Sequence, residues 1–261
     1  MRFIVCVKQV PETNDLKIDQ NTNKTVTEGV STIINPFDQL ALEQAISIRK
    51  EGDEIVAMSI GDPKTKSTLM RCLALGADRA ILLDDELFQD SDTFGTANIL
   101  VSAINKIGDY DLIFCGNSSF DTGSGQVGPE LAALLKVPQM TYVESVDEIK
   151  EGKIRAKAQT DEGYRIIEST IPLVITGIPP SSFQPSIPPL PKIMAAQKKP
   201  YDVWNTDDIE GDKNKFGAAG SLIKIVKLYE PPKREEGIII TEDPEPAVEK
   251  LMELLIKDKV I

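Results

Sequence analysis

The fold class of this chain follows from Asp111-Leu112-Ile113-Phe114-Cys115-Gly116, a continuous apolar run that ends in glycine. Such a run is typical of a strand that is buried on both faces of a parallel sheet. A glycine-rich segment follows it, and then a helical pattern from Val127 to Leu135. The stretch therefore predicts a strand, a loop and a helix in succession, which is the unit of α/β folds.

The same alternation runs through the first 140 residues. Strand-like runs lie at 3–7, 54–60 and 79–83, and helix-like patterns lie at 36–52, 63–76 and 93–107. Asn35 is expected to cap the first helix, Pro36 to occupy its first turn and Gly52 to end it. The pattern predicts right-handed βαβ units in a mainly parallel sheet, with ligands bound beyond the carboxyl ends of its strands.

The pattern changes after residue 140. Hairpins are predicted around Glu151-Gly152 and Asp161-Glu162-Gly163, and a buried strand at 173–176. Residues 179–191 contain six prolines and are expected to run extended over a surface. Beyond them the sequence predicts a short helix within 191–199, a strand at 223–228 and an amphipathic helix at 246–257. A tail of this size is too small for its own core, so it folds back on the sheet or binds another subunit.

Composition excludes several functions. The 261 residues include 29 basic and 41 acidic side chains, a net charge of −12, which argues against a nucleic-acid partner. The chain has no histidine, which removes Ser-His-Asp and Cys-His hydrolases and the usual zinc-hydroxide chemistry. Its three cysteines (Cys6, Cys72 and Cys115) are expected to be buried and free. We expect no catalytic set, no metal site, no membrane insertion and a cytoplasmic location.

The chemistry is expected in the segment from Gly116 to Glu130, where four glycines flank the start of a helix. Glycine lets the backbone approach an anion closely, and the free amides of a helix N-terminus bind phosphate. No lysine lies within the segment, so it is not the phosphate loop of phosphoryl-transfer enzymes. It indicates a nucleotide held by the backbone, and the alternative is a glycine-rich connector without a ligand.

Five motifs, in order, resemble the β subunit of electron transfer flavoproteins, and the resemblance extends from the N-terminus to about residue 200. They are Val5-Cys6-Val7-Lys8-Gln9-Val10-Pro11, Asn35-Pro36-Phe37-Asp38 with Ala41-Leu42-Glu43, Ala74-Leu75-Gly76-Ala77-Asp78, the loop from Asp121 to Gly128, and Leu190-Pro191-Lys192-Ile193-Met194. The resemblance implies a Rossmann-like domain of the adenine-nucleotide α-hydrolase type over 1–195. It further implies a C-terminal arm over 196–261 that packs on an α subunit carrying FAD.

The resemblance also implies a nucleotide site in this chain, with Phe37 reaching toward the α-subunit flavin. Its cofactor-binding residues would be Cys6, Asn35, Pro36, Phe37, Asp38, Ile60, Gly116, Asn117, Asp121, Thr122, Gly123, Ser124, Gly125, Gln126 and Val127. Leu190 would dock into a partner dehydrogenase, of the acyl-CoA or the 2-hydroxyacid type. An exposed apolar anchor of this kind is a sensible hot spot for binding.

Three functional hypotheses remain open. Segments 10–13, 35–39 and 122–126 are more similar to the bifurcating branch found in anaerobes. There the β subunit binds FAD, accepts hydride from NADH, and passes electrons to ferredoxin or flavodoxin and, through the α-subunit FAD, to the dehydrogenase. The first alternative is a non-bifurcating carrier that binds structural AMP. The second is a nucleotide-binding protein of the universal-stress type, without an α partner.

Overall fold

A computed structural model describes residues 1–13, 16–19, 21–22, 24–229 and 237–261. The strands are β1 (Arg2–Cys6), β2 (Gln9–Pro11), β3 (Ile18–Asp19), β4 (Lys24–Thr25), β5 (Thr32–Ile34), β6 (Glu54–Ile60), β7 (Arg79–Leu83), β8 (Leu112–Gly116), β9 (Gln139–Lys150), β10 (Lys153–Thr160), β11 (Gly163–Thr170), β12 (Leu173–Gly177) and β13 (Tyr201–Trp204).

The helices are α1 (Pro36–Ile48), α2 (Lys66–Leu75), α3 (Thr93–Ile107), α4 (Val127–Leu135), α5 (Leu190–Ala196), α6 (Gly217–Gly220) and α7 (Pro244–Lys257). The predictions for β7, α3 and α4 are confirmed residue for residue. None of the described helices combines the length and the apolar character that a membrane span requires.

The central sheet has nine strands in the order β11-β10-β9-β12-β8-β1-β6-β7-β13. In this spatial order, every neighbouring pair from β9 through β12, β8, β1, β6 and β7 to β13 is parallel. Strand β10 pairs antiparallel with both β9 and β11. The predicted α/β architecture with a mainly parallel sheet is confirmed, and so are the two hairpins.

Side chains from both faces of the sheet are buried. On β1, Phe3 and Val5 pack on one face with Leu42 of α1, and Ile4 packs on the other with Ile99 of α3. Removing each such side chain from water stabilises the fold by about 1.5–3 kcal/mol. The helix layers on both faces therefore hold β1 firmly at the centre of the sheet.

The sheet reverses its direction of growth at β1. From β1 the chain adds β6 and β7 on one side and then crosses to place β8 on the other. In doubly wound sheets this reversal opens a crevice beyond the carboxyl ends of the two central strands. The candidate site is therefore expected where β1 and β8 end.

Local predictions are wrong at three places. The stretch expected to be extended over 179–191 ends at Pro189, because proline suits the first turn of a helix and Leu190 and Pro191 begin α5. Helix α1 ends at Ile48 rather than at Gly52, because Arg49 already adopts an extended conformation with ψ 135°. Residues 223–228 form no strand in the described chain. The backbone amides of Leu222 and Ile223 donate to the Asp92 carboxylate, at 2.6 and 2.9 Å, instead of to a neighbouring strand.

The described residues form two compact units. The first contains Met1–Leu16 and Val26–Val226, and the second contains Lys17–Thr25 and Lys227–Ile261. Strand β13 pairs with β7 in the sheet of the first unit, so this unit continues past residue 195, the predicted domain boundary. Within the second unit, β3 pairs with β4, and Lys250 of α7 forms an ion pair with Glu242.

Candidate functional site

The carboxyl ends of three adjacent strands lie along one edge of the sheet. Cys6 ends β1, Ile60 ends β6 and Gly116 ends β8. These three predicted site residues are thus brought to one edge by the parallel pairing of their strands.

Asp38, in the first turn of α1, joins the ends of β1 and β8. One carboxylate oxygen accepts the Lys8 amide at 2.7 Å and the other accepts the Gly116 amide at 2.9 Å. The side chain is buried, and burial raises the pKa of Asp38 to about 7, although both backbone hydrogen bonds lower it. The carboxylate is committed to holding the two strand exits together.

Asn35 occupies the N-cap position of α1, as predicted, but its side chain makes no capping hydrogen bond. Its amide nitrogen donates instead to the Ser118 carbonyl at 2.8 Å, and its amide oxygen accepts the Phe120 amide at 3.1 Å. Asn35 is only 1% exposed, and a buried amide must satisfy its hydrogen-bonding groups. These bonds fix the start of the glycine-rich loop.

The glycine-rich loop, residues 117–126, turns tightly before α4. The Gly123 amide donates to the Ser119 carbonyl at 2.9 Å, and the Ser119 and Thr122 hydroxyls lie 2.7 Å apart. Gly125 has φ +64°, and a Cβ there would lie 3.3 Å from the Asn117 carbonyl oxygen. A larger residue at 125 would be strained and would crowd the loop.

Helix α4 begins directly after this loop with unpaired amides. Gln126 provides no side-chain cap, and the amides of Val127 and Gly128 donate to no protein acceptor within the described ranges. Amides in this position attract anions, because they combine free donors with the positive end of the helix dipole. The loop and helix therefore fit a phosphate group, as the sequence predicts.

The comparisons with known proteins point to one family. A family model described as "Electron transfer flavoprotein domain" matches residues 22–209. The electron transfer flavoprotein subunit beta of Thermoanaerobacterium thermosaccharolyticum is 40% identical over 266 residues, covering 100% of both chains.

The chain belongs to the β-subunit family of electron transfer flavoproteins.

Two further relatives of this family carry other names. The caffeyl-CoA reductase-Etf complex subunit CarD of Acetobacterium woodii is 37% identical over 243 residues, covering 92% of both chains. Protein FixA of Bradyrhizobium diazoefficiens is 35% identical over 265 residues, covering 98% of this chain and 91% of the relative.

The predicted cofactor-binding set leaves out Lys8, although Lys8 belongs to the first quoted motif. It follows β1, and its ammonium group donates to both carboxylate oxygens of Asp121, at 2.8 and 2.7 Å. Burial alone would raise the pKa of Asp121, but the hydrogen bond and charge of Lys8 outweigh it and lower that pKa. The cation that the loop itself lacks comes from the segment that follows β1, and the signal in the sequence was a lysine at the exit of a buried strand, in Val7-Lys8-Gln9.

Other predicted residues face the neighbouring elements. The Asn117 side chain accepts from the Thr176 hydroxyl of β12 at 3.4 Å, and the Gln126 side chain accepts from the Thr93 hydroxyl of α3 at 3.0 Å. Phe37 is half-buried on α1, beside Pro36 in the first turn. Thr122 and Ser124 are exposed on the loop.

The cysteines are free and buried. Cys6 and Cys115 lie at the ends of adjacent strands, and a hydrogen bond to Cys6 together with burial raises the pKa of the Cys115 thiol. Both thiols thus lie at the ends of the two central strands. Leu190 is not part of this cluster; it begins α5 and is 68% exposed.

Proposed function

We propose that this chain is the β subunit of a bifurcating electron transfer flavoprotein that binds FAD at the ends of β1 and β8. It would accept hydride from NADH, then send electrons to ferredoxin or flavodoxin and, through the FAD of an α subunit, to a partner dehydrogenase. The observation that carries the proposal is the glycine-rich loop, which Asn35 and Lys8 bind, beside the ends of β1 and β8, which Asp38 joins.

The residues present fit a flavin dinucleotide. The amides of Val127 and Gly128, with the Ser124 hydroxyl, would bind the phosphates, and Lys8 would balance their charge. The small residues at 122–125 would leave room beside the loop for a ring system. When bound, FAD supplies the capacity to accept a hydride and to release its electrons one at a time.

This chain contributes binding and orientation rather than proton transfer. We assign no catalytic side chain, because the buried carboxylate of Asp38 is committed to two backbone amides. The ion pair between Lys8 and Asp121 would hold the loop in the conformation that receives the nucleotide.

The alternative is a non-bifurcating β subunit that binds AMP. The same helix terminus and loop suit a single phosphate, and this chain would then be a scaffold without a redox centre. Family membership removes the universal-stress hypothesis.

The proposed partners are an α subunit and an acyl-CoA or 2-hydroxyacid dehydrogenase. Relatives named as a subunit of a caffeyl-CoA reductase complex and as an acryloyl-CoA reductase electron transfer subunit favour the acyl-CoA type. Leu190 would dock into the dehydrogenase. The C-terminal arm would pack on the α subunit through the exposed apolar side chains of α7, which include Val248, Leu251, Met252 and Ile256.

The test is the nucleotide content of the heterodimer purified with its α subunit. Nucleotides are released with acid and quantified by chromatography. Two FAD per heterodimer support bifurcation, whereas one FAD and one AMP support the alternative. If the heterodimer contains only the α-subunit FAD and no second nucleotide, the loop is a connector and the proposal fails.

A pair of variants assigns the second nucleotide to the loop. Gly125→Val should empty the β site and leave the α-subunit FAD bound. Gly152→Val is the matched control, since Gly152 has a similar φ of +74° but lies in the turn between β9 and β10. Full occupancy of the β site in Gly125→Val would contradict the assignment.

A further inference from the structure

Helix α1 holds the proline-rich segment at a single residue, Ser186. The Ser186 amide donates to one carboxylate oxygen of Glu43 at 2.9 Å, and the Ser186 hydroxyl donates to the other at 2.9 Å. The Ser186 carbonyl accepts the side-chain amide of Gln39 at 2.9 Å. All the backbone and side-chain polar groups of Ser186 are thus bound by two side chains of α1.

Gln39 ties the contact between α1 and the proline-rich segment to one position of Ser186. Its side chain is buried, and its amide nitrogen donates to Glu43 at 3.0 Å as well as to Ser186. Movement of the segment would remove one acceptor from a buried donor, which costs free energy. We call Gln39, Glu43 and Ser186 the α1 clamp.

The segment after the clamp presents apolar side chains to solvent. Ile187 is 83% exposed and Leu190 is 68% exposed, whereas Pro188 between them is buried. Prolines at 185, 188, 189 and 191 fix their own φ angles. Because the segment is stiff, fixing the position of Ser186 also fixes the position of Leu190.

The helix that carries the clamp also holds the nucleotide loop. Asn35 and Asp38 bind that loop and the ends of β1 and β8, and Glu43 lies five residues beyond Asp38 on α1. At 1.5 Å per residue, this spacing is about 7.5 Å along the helix. One rigid element therefore fixes the exposed segment relative to the candidate nucleotide site.

We propose that Glu43, supported by Gln39, is a positioning residue for docking of the partner dehydrogenase. Through Ser186 it fixes the apolar surface formed by Ile187 and Leu190 in its binding conformation. A preordered surface loses less conformational entropy when it binds. The inference rests on the proposed docking role of Leu190.

The first measurement is hydrogen exchange on the purified heterodimer, at the amide of Ser186, which donates to Glu43. Glu43→Ala should speed exchange there about tenfold, because it removes that hydrogen bond. Glu43→Gln should stay close to the wild type, because its side chain can still accept one bond and donate another. Glu51→Ala is the matched control, since Glu51 is an exposed glutamate in the turn after α1. Unchanged exchange in Glu43→Ala would overturn the clamp.

The second measurement is reduction of a purified acyl-CoA or 2-hydroxyacid dehydrogenase, whichever the wild-type heterodimer reduces. Glu43→Ala should raise the KM for the dehydrogenase about fivefold and leave kcat unchanged, and Glu43→Gln should restore the KM. An unchanged KM, or a loss confined to kcat, would overturn the docking role. If Glu43→Ala does not fold, Ser186→Ala removes one bond and should raise the KM about twofold.

The two measurements test separate parts of the proposal. If the wild-type heterodimer reduces neither dehydrogenase, the proposed docking function fails. The exchange data would still decide whether Glu43 fixes Ser186.

Discussion

The ammonium nitrogen of Lys8 lies 2.7 Å from a carboxylate oxygen of Asp121, although 113 positions separate the two residues in the sequence. The pair ties the glycine-rich loop to the end of the central strand. It also places a positive charge at the glycine-rich loop, which leads into the uncapped start of α4. An exposed ion pair alone stabilises a fold by at most about 1 kcal/mol, which suggests that this one matters more for the loop than for the fold.

The two residues of this pair should affect nucleotide binding in opposite directions. Lys8→Gln removes a cation from the loop and should weaken binding of AMP about tenfold. Asp121→Asn removes the competing anion and should leave binding equal or tighter. The measurement is calorimetric titration of nucleotide-depleted heterodimer with AMP. Equal weakening in both variants would show that the pair only stabilises the loop.

Much of the site was predictable because its signals are local. A buried strand that ends in glycine, followed by a glycine-rich segment and a helix start, located the loop at 116–128. Lys8 and Asn35 act through partners more than eighty positions away, at Asp121 and Ser118, and no local pattern reports such a pairing. Asn35 even satisfies the local rule for a helix cap, but its burial against the loop gives it other partners.

Asp38 should make stability depend on pH. Its pKa is about 7 in the folded chain, against an ordinary value of 3.8, so the folded state holds this proton more tightly than the unfolded state. The resulting stabilisation is fully present below about pH 4 and is lost as the pH rises to about 7. The free energy of unfolding of the wild type, relative to Asp38→Asn, should therefore fall across this range by a few kcal/mol.

The check is thermal unfolding of the wild type and Asp38→Asn at several pH values. The difference in Tm between the two should shrink or reverse from pH 4 to 7 and be flat above about pH 8. A constant difference would mean that Asp38 does not titrate in this window.

Gly128 allows α4 to pack against β12. A Cβ at this position would lie 2.3 Å from the Cγ2 methyl of Thr176. Gly128→Ala should therefore destabilise the fold by about 1–3 kcal/mol, as overpacking of a core does.

The Thr176→Ser change supplies the control, because it removes that methyl and keeps the hydroxyl that donates to Asn117. The double variant should recover about 1 kcal/mol of the loss, measured by denaturant unfolding. Simple additivity of the two single changes would argue against the packing explanation.

Lys199 binds the C-terminal end of α2. Its ammonium group donates to the carbonyls of Leu73 and Ala77, at 2.9 and 2.6 Å, and desolvation lowers its pKa. Lys199→Met should lower the free energy of unfolding by about 1 kcal/mol, since it removes bonds to the negative end of the helix dipole. The adjacent Lys198 is exposed, so Lys198→Met should have no measurable effect. Equal effects would show that net charge, not this contact, matters.

The wrong prediction at 223–228 has a specific physical cause. An alternation of isoleucine, valine and lysine satisfies the pattern of a half-buried strand. A strand also needs backbone hydrogen bonds to a neighbouring strand. Here the amides of Leu222 and Ile223 donate to the Asp92 carboxylate instead. Likewise, six prolines predicted an extended run over 179–191, which ends at Pro189, and only the contact of Ser186 with Glu43 shows where this run is held.

The long sequence separation of the loop contacts has a consequence for synthesis of the chain. Gly116 is bound by Asp38, Phe120 by Asn35 and Asp121 by Lys8, across 78, 85 and 113 positions. Contacts that close such long loops are made late in folding. The first strand and α1 thus leave the ribosome long before their partners exist, and the proposed nucleotide would stabilise only a chain that has been translated beyond the loop. Its binding would thereby distinguish complete domains from nascent or truncated ones.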